Sequence, residues 1–179
     1  FPLAANSNDA ALLTTVNPGT YTVQLSGVRD TSGIGLIEVY ERELGSARLI
    51  NLSSRLIVGP GAAAGIAGFV VSGPGPKNLL IRGIGPALAR FGVASPLADP
   101  VLTVSGPANT VVATNDNWSN AINAVDIATA ATAVGAFTLF ADSKDAAVLL
   151  TLPPGAYTAS VSGANGTRGV GLVEIYEVP

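Results

Sequence analysis

The carboxylates are the residues best equipped for chemistry in this chain, and their spacing limits what that chemistry is. Glu38, Glu41, Glu43, Glu174 and Glu177 are the candidates for an acid and base pair of the kind that hydrolyses glycosides. Glu38 and Glu174, however, hold the same place in two copies of one repeated stretch, so a dyad built from them is not expected. A second group sits in polar stretches: Asp116-Asn117-Trp118, and Asp142-Ser143-Lys144-Asp145 with its repeat equivalent Asn6-Ser7-Asn8-Asp9. Oxygen-rich loops suit calcium, which makes Asp116, Asn117, Asp142 and Asp145 a candidate calcium or ligand loop. None has the EF-hand spacing, and Asx-turns or strand caps account for the same letters. Trp118, the only tryptophan, is the candidate sugar platform; Tyr21 and Tyr157 fall in the strand phase of buried residues. Arg82 closes an apolar run, where an arginine commonly holds a carboxylate. Asp99 is the candidate partner for a structural ion pair, with Asp116 as a second choice.

Other chemistries lack their residues. There is no cysteine and no histidine, which removes disulfides, thiolate metal sites, the usual general base and the best zinc ligand. The glycine-rich runs GPGAAAG (59–65) and GPGPKN (73–78) match neither phosphate-binding fingerprint and read as turns. No enzyme activity, metal or cofactor is expected.

The elements that position these residues are organised by the repeat. Residues 1–41 align with residues 137–177 without a gap, and 22 of the 41 pairs are identical. Pro18-Gly19 and Pro154-Gly155, Gly33 and Gly169, Glu38 and Glu174 are among them. An internal duplication of this size defines the architecture. Residues 44–179 then form a complete unit, and residues 1–43 an extra copy of its closing block. Within a block the letters read as strand, proline-glycine turn, strand, loop, strand: 10–16, the alternating 21–26, and 35–41. The expected arrangement is an antiparallel meander.

Between the copies, a bend is expected at Glu43–Gly45, with strands near 47–52, 55–58, 66–72 and 77–82. Pro86 opens a helical turn that Gly92 closes, expected to cap one end of the sheets. A hairpin joins 101–106 to 110–115. Residues 120–134 carry apolar side chains at helical spacing. Many short strands with Pro/Gly turns and one short capping helix indicate an all-β, antiparallel β-sandwich, immunoglobulin-like or jelly-roll-like.

The run RLINLSSR, GFVVSGPGPKNLLIRGIGPALARFGV, LADPVLTV and NDNW, followed by KDAAVLLTLPPGAYTASVSG and GVGLVEIYE, resembles a repeat of large secreted and cell-surface proteins from environmental bacteria. The resemblance covers essentially the whole chain and implies an extracellular β-rich module, often in tandem, with no catalytic residue. Composition agrees. Charged residues are 12% of the chain against a usual share of about 25%, a surface suited to packing on copies of itself. The net charge of −3 and the lack of a basic run argue against nucleic acid. No apolar run is long enough for a membrane-spanning helix. The expectation is therefore an extracellular or cell-surface structural protein. It assembles into a filament or surface layer as a head-to-tail homo-oligomer through residues 1–43. An adhesin or carbohydrate-binding module is the alternative.

Overall fold

The computed structural model describes residues 3–41 and 48–179. They belong to two compact units, residues 1–49 and 50–179. The bend expected at Glu43–Gly45 and the 43/44 boundary lie outside the described residues.

The unit at 50–179 is an antiparallel β-sandwich. Its strands are Asn51–Val58 (β1), Gly65–Val71 (β2), Lys77–Ile84 (β3), Pro100–Ser105 (β4), Val111–Asn115 (β5), Ala146–Leu152 (β6), Gly155–Gly163 (β7) and Gly169–Val178 (β8). One sheet has the order β1-β8-β3-β6 and the other β2-β7-β4-β5. Two strands were expected where β1 runs unbroken from Asn51, opposite Tyr176, to Val58, opposite Gly169. Ser53 and Ser54, which fall between the two expected strands, lie inside β1, an edge strand where polar side chains cost little.

Strand β3 explains the layering. Leu79 and Ile81 point inward, to a core with Leu102, Val104, Val161 and Ile175 between the two sheets. Leu80 and Ile84 point the other way, into a second core with Trp118, Ile127 and Ala130. A strand buried on both faces reads as a near-continuous apolar run, as LLIRGI does. The cover on the outer face is the helix Ala124–Ala133 (α1) and the 3-10 turn Pro86–Phe91. That turn has proline in its first turn and left-handed Gly92 (φ 73°) as its cap, as its letters predict. It covers a sheet face, not an end: Ala87 and Leu88 belong to the second core.

The closing block is not a meander. β6 pairs with β3, β7 with β2 and β4, and β8 with β1 and β3. No two of the three pair with each other. Pro153-Pro154 lies between β6 in one sheet and β7 in the other, and proline cannot extend a ladder. Alternation in the sequence identifies a half-buried strand but says nothing about its neighbour, which is why the meander reading fails.

The first block repeats the local geometry of the second. The Tyr21 hydroxyl donates to the Asn17 carbonyl at 2.8 Å, as Tyr157 does to Pro153 at 2.9 Å. Thr31 Oγ1 donates to Val28 O at 3.0 Å, as Thr167 does to Ala164 at 2.9 Å. The 3-10 turns Val28–Asp30 and Ala164–Gly166 coincide under the alignment, and Arg29 (φ 55°) shares the left-handed backbone of Asn165 (φ 54°). Yet the strands expected at 10–16, 21–26 and 35–41 have no ladder partner among the described residues, and residues 3–41 are all exposed. Tyr21 is 58% exposed and Tyr157 7%; Val39 is 50% exposed and its equivalent Ile175 6%. Turns form from local sequence; strands need partners.

Glycine separates the two situations. A Cβ on Gly169 would lie 2.6 Å from the backbone nitrogen of Leu97, whereas one on Gly33 would meet nothing within 4 Å. Gly169→Ala is expected to destabilise the sandwich by about 1–3 kcal/mol, and Gly33→Ala to change it by less than about 0.5 kcal/mol. Denaturant titration followed by Trp118 fluorescence checks both.

Candidate functional site

The ionisable groups converge on the outer face of β3. Arg82 is fully buried there, in register with Glu174 on β8. Its Nε donates to Glu174 Oε2 at 2.8 Å, its NH2 group donates to the same oxygen, and NH1 donates to the Phe137 carbonyl at 2.6 Å. The guanidinium lies 4.4 Å from the Phe137 ring centroid. On the other carboxylate oxygen, Glu174 accepts the Tyr176 hydroxyl at 2.8 Å. Burial first, and the Glu174 carboxylate next, push the Tyr176 phenol up to about 12.

Residues 137–140 form a strap that three donors hold by its carbonyls. Arg82 takes Phe137, Arg90 NH2 takes Thr138 at 2.6 Å, and Trp118 Nε1 takes Phe140 at 2.9 Å. Arg90 also lies 4.5 Å from the Phe140 ring centroid. A cavity of about 90 Å³ beneath α1 is lined by Arg82, Trp118, Ile127 and Leu139 among others. It has room for a few waters, far below the roughly 300 Å³ at which small-molecule sites begin. A wider, open groove of about 440 Å³ runs along β5 and β6, with no ionisable side chain in its lining.

Several expected roles change. Arg82 pairs with Glu174, not with Asp99, whose carboxylate takes Lys144 instead. Arg82 is interior to β3, and the charge facing it across the ladder is Glu174. Trp118 is buried, with its indole N–H spent on Phe140, so it presents no platform for a sugar. Asp145 is also fully buried: its carboxylate accepts the Gly85 amide at 2.7 Å, the Ala87 amide at 3.2 Å and the Ser143 hydroxyl. It fastens the 3-10 turn to the start of β6. Asp116 and Asp142 are exposed. The Asn117 carbonyl accepts the Asn115 side-chain amide at 3.2 Å, an internal tie of that loop. Among the described residues no three carboxylates gather as a metal set.

Sequence reasoning missed Glu174 and Tyr176 as the partners of Arg82. The signal was present: a glutamate between Val173 and Ile175 in an apolar strand, with tyrosine two residues on, and the same pair kept as Glu38 and Tyr40. In the first block Tyr40 again donates to Glu38, at 3.0 Å, but both are exposed. That bond raises the Tyr40 phenol as well.

Comparison with protein-family models, with curated proteins and with solved structures gives no match to this chain.

Two outcomes follow from the cluster. Removing one partner of a buried ion pair strands the other, at a cost of about 3–5 kcal/mol. Glu174→Ala is expected to show that loss in Trp118-monitored unfolding, and Glu38→Ala a change below about 0.5 kcal/mol. The second concerns alkaline pH. The Tyr176 phenol keeps its proton to about 12 in the folded state and loses it near 10.0 when unfolded. The folded state therefore binds more protons in that window, and its stability falls as pH rises through it. Unfolding midpoints of the native protein should drop more steeply between pH 10 and 12 than those of Tyr176→Phe.

Proposed function

We propose that the chain is a structural module of an extracellular or cell-surface assembly, not an enzyme. The assembly is a filament or layer made from copies of this sandwich, joined head-to-tail through residues 1–43. One observation carries the reading: the apolar side chains of the first block stand in solvent. Leu12, Leu13, Tyr21, Val23, Leu36 and Val39 are 50–88% exposed. Single exposed apolar residues are ordinary, but a whole block of them marks an association surface. Low charge supports it by reducing the cost of drying such contacts. The resemblance to a secreted repeat supports the location, and no helix of the described residues is long and apolar enough to cross a membrane. With Trp118 buried, nothing favours sugar binding over association.

The sandwich at 50–179 holds all eight strands and both cores found among the described residues. Removing residues 1–49 is therefore expected to leave a folded protein that elutes as a monomer. The full chain should assemble with rising concentration, as read by size-exclusion chromatography and electron microscopy. A full chain that stays monomeric at high concentration refutes the proposal.

A further inference from the structure

We infer that residues 3–41 are the closing block of a second sandwich, and that their occupant is a segment built like residues 50–136 but lacking a closing block of its own. The inference rests on the proposed association through this block and names what it associates with.

The second copy of the block shows what covers such a face. Val148, Leu152, Tyr157, Ala159, Val161, Val173 and Ile175 are the equivalents of Leu12, Val16, Tyr21, Val23, Leu25, Ile37 and Val39. All seven are buried, under strands β1 to β5 of the 50–136 body. Each member of the first set is 47–88% exposed. The first block also keeps residues whose purpose appears only against such a body. Gly33 has open space around it, but its equivalent admits the Leu97 backbone. Glu38 stands in solvent, but its equivalent holds Arg82. Asp9 is exposed, but its equivalent Asp145 binds the amides of Gly85 and Ala87. The turns of the block are already set, which leaves docking to order its three strands.

A second copy of residues 1–179 can cover the apolar face of the block from outside, as the proposed association requires, but it cannot supply the ladders that the block lacks. Residues 1–179 contain one body and two blocks, and the body is closed by β6, β7 and β8. However blocks are exchanged between copies of residues 1–179, one block per copy is left without a body. A body without a block is required, and each body that accepts this block adds one sandwich to the row. Three strands entering two sheets at once make this a form of strand addition.

The test joins a second copy of residues 50–136 in front of Phe1 of the full chain. Phe1 stands where Phe137 does, so the junction repeats the natural sequence Ala136-Phe137. Amide hydrogen exchange at residues 20–27 and 33–41 is expected to slow by about 100-fold or more relative to the parent chain. The extended chain should also lose the concentration-dependent assembly of the parent. Exchange rates equal to the parent's overturn the inference, even where the parent assembles; a parent that does not assemble refutes the association reading alone. A second variant guards against an added body that fails to fold. In the full chain, Gly169→Leu drives a side chain into the Leu97 backbone and disables the second block. Glu177 N bonds Ile50 O at 3.0 Å, so a block ends beside the start of the body. Residues 42–49 are then long enough to let the first block close the body instead. Gly169→Leu should retain buried Trp118 and become sensitive to Glu38→Ala, with a midpoint shift absent from the parent. Insensitivity to Glu38→Ala overturns the inference.

Discussion

Everything in this protein depends on one constraint: three consecutive strands, β6, β7 and β8, take none of their hydrogen bonds from each other. Each finds its ladder in β1 to β4, and β7 lies in a different sheet from the other two. A block of this kind has no stable form of its own, because its backbone groups and its apolar side chains are both completed from outside. The body has the matching deficit. Without β8, strands β1 and β3 lose the neighbour between them, and without β7, β2 and β4 do. Block and body are therefore one folding problem.

The Arg82–Glu174 pair sits at the join. It links body to block across the β3–β8 ladder. Buried ion pairs contribute little net stability relative to apolar packing, because desolvation offsets most of the Coulomb gain. What the pair does contribute is register. A slip of β8 by one residue would bring Glu174 to the inner core and Val173 or Ile175 against the guanidinium. The strap at 137–140, held by Arg82, Arg90 and Trp118, extends the same control to the chain entering β6.

How much of this was legible in the sequence follows from what each signal encodes. The duplication, the sandwich class, the turn from Pro86 to Gly92 and the β4–β5 hairpin were readable, because turn letters and alternation act locally. Pairing was not. The alternation of Thr22, Val23, Gln24 and Leu25 is the same whether or not a neighbour exists, so strands were expected in a block that has no ladder among the described residues. Trp118 was misjudged for a related reason. The polar letters around it, Asp116, Asn117 and Ser119, describe a loop; the cover supplied by Ile127 and Leu139 comes from elsewhere in the chain. Arg82 was recognised as a charge in need of a partner, but the partner lay 92 residues away and is fixed by strand order.

The bond from Glu177 to Ile50 has a mechanical meaning. The sandwich begins and ends at the same end of the β1–β8 ladder, where Asn51 faces Tyr176. Tension applied between those two points loads the ladder bonds in succession, starting with the outermost, and peels the strands apart. Shear, which would load all of them together, requires the points of attachment at opposite ends. The sandwich therefore yields to tension between these two points by peeling, at lower force than shear would need.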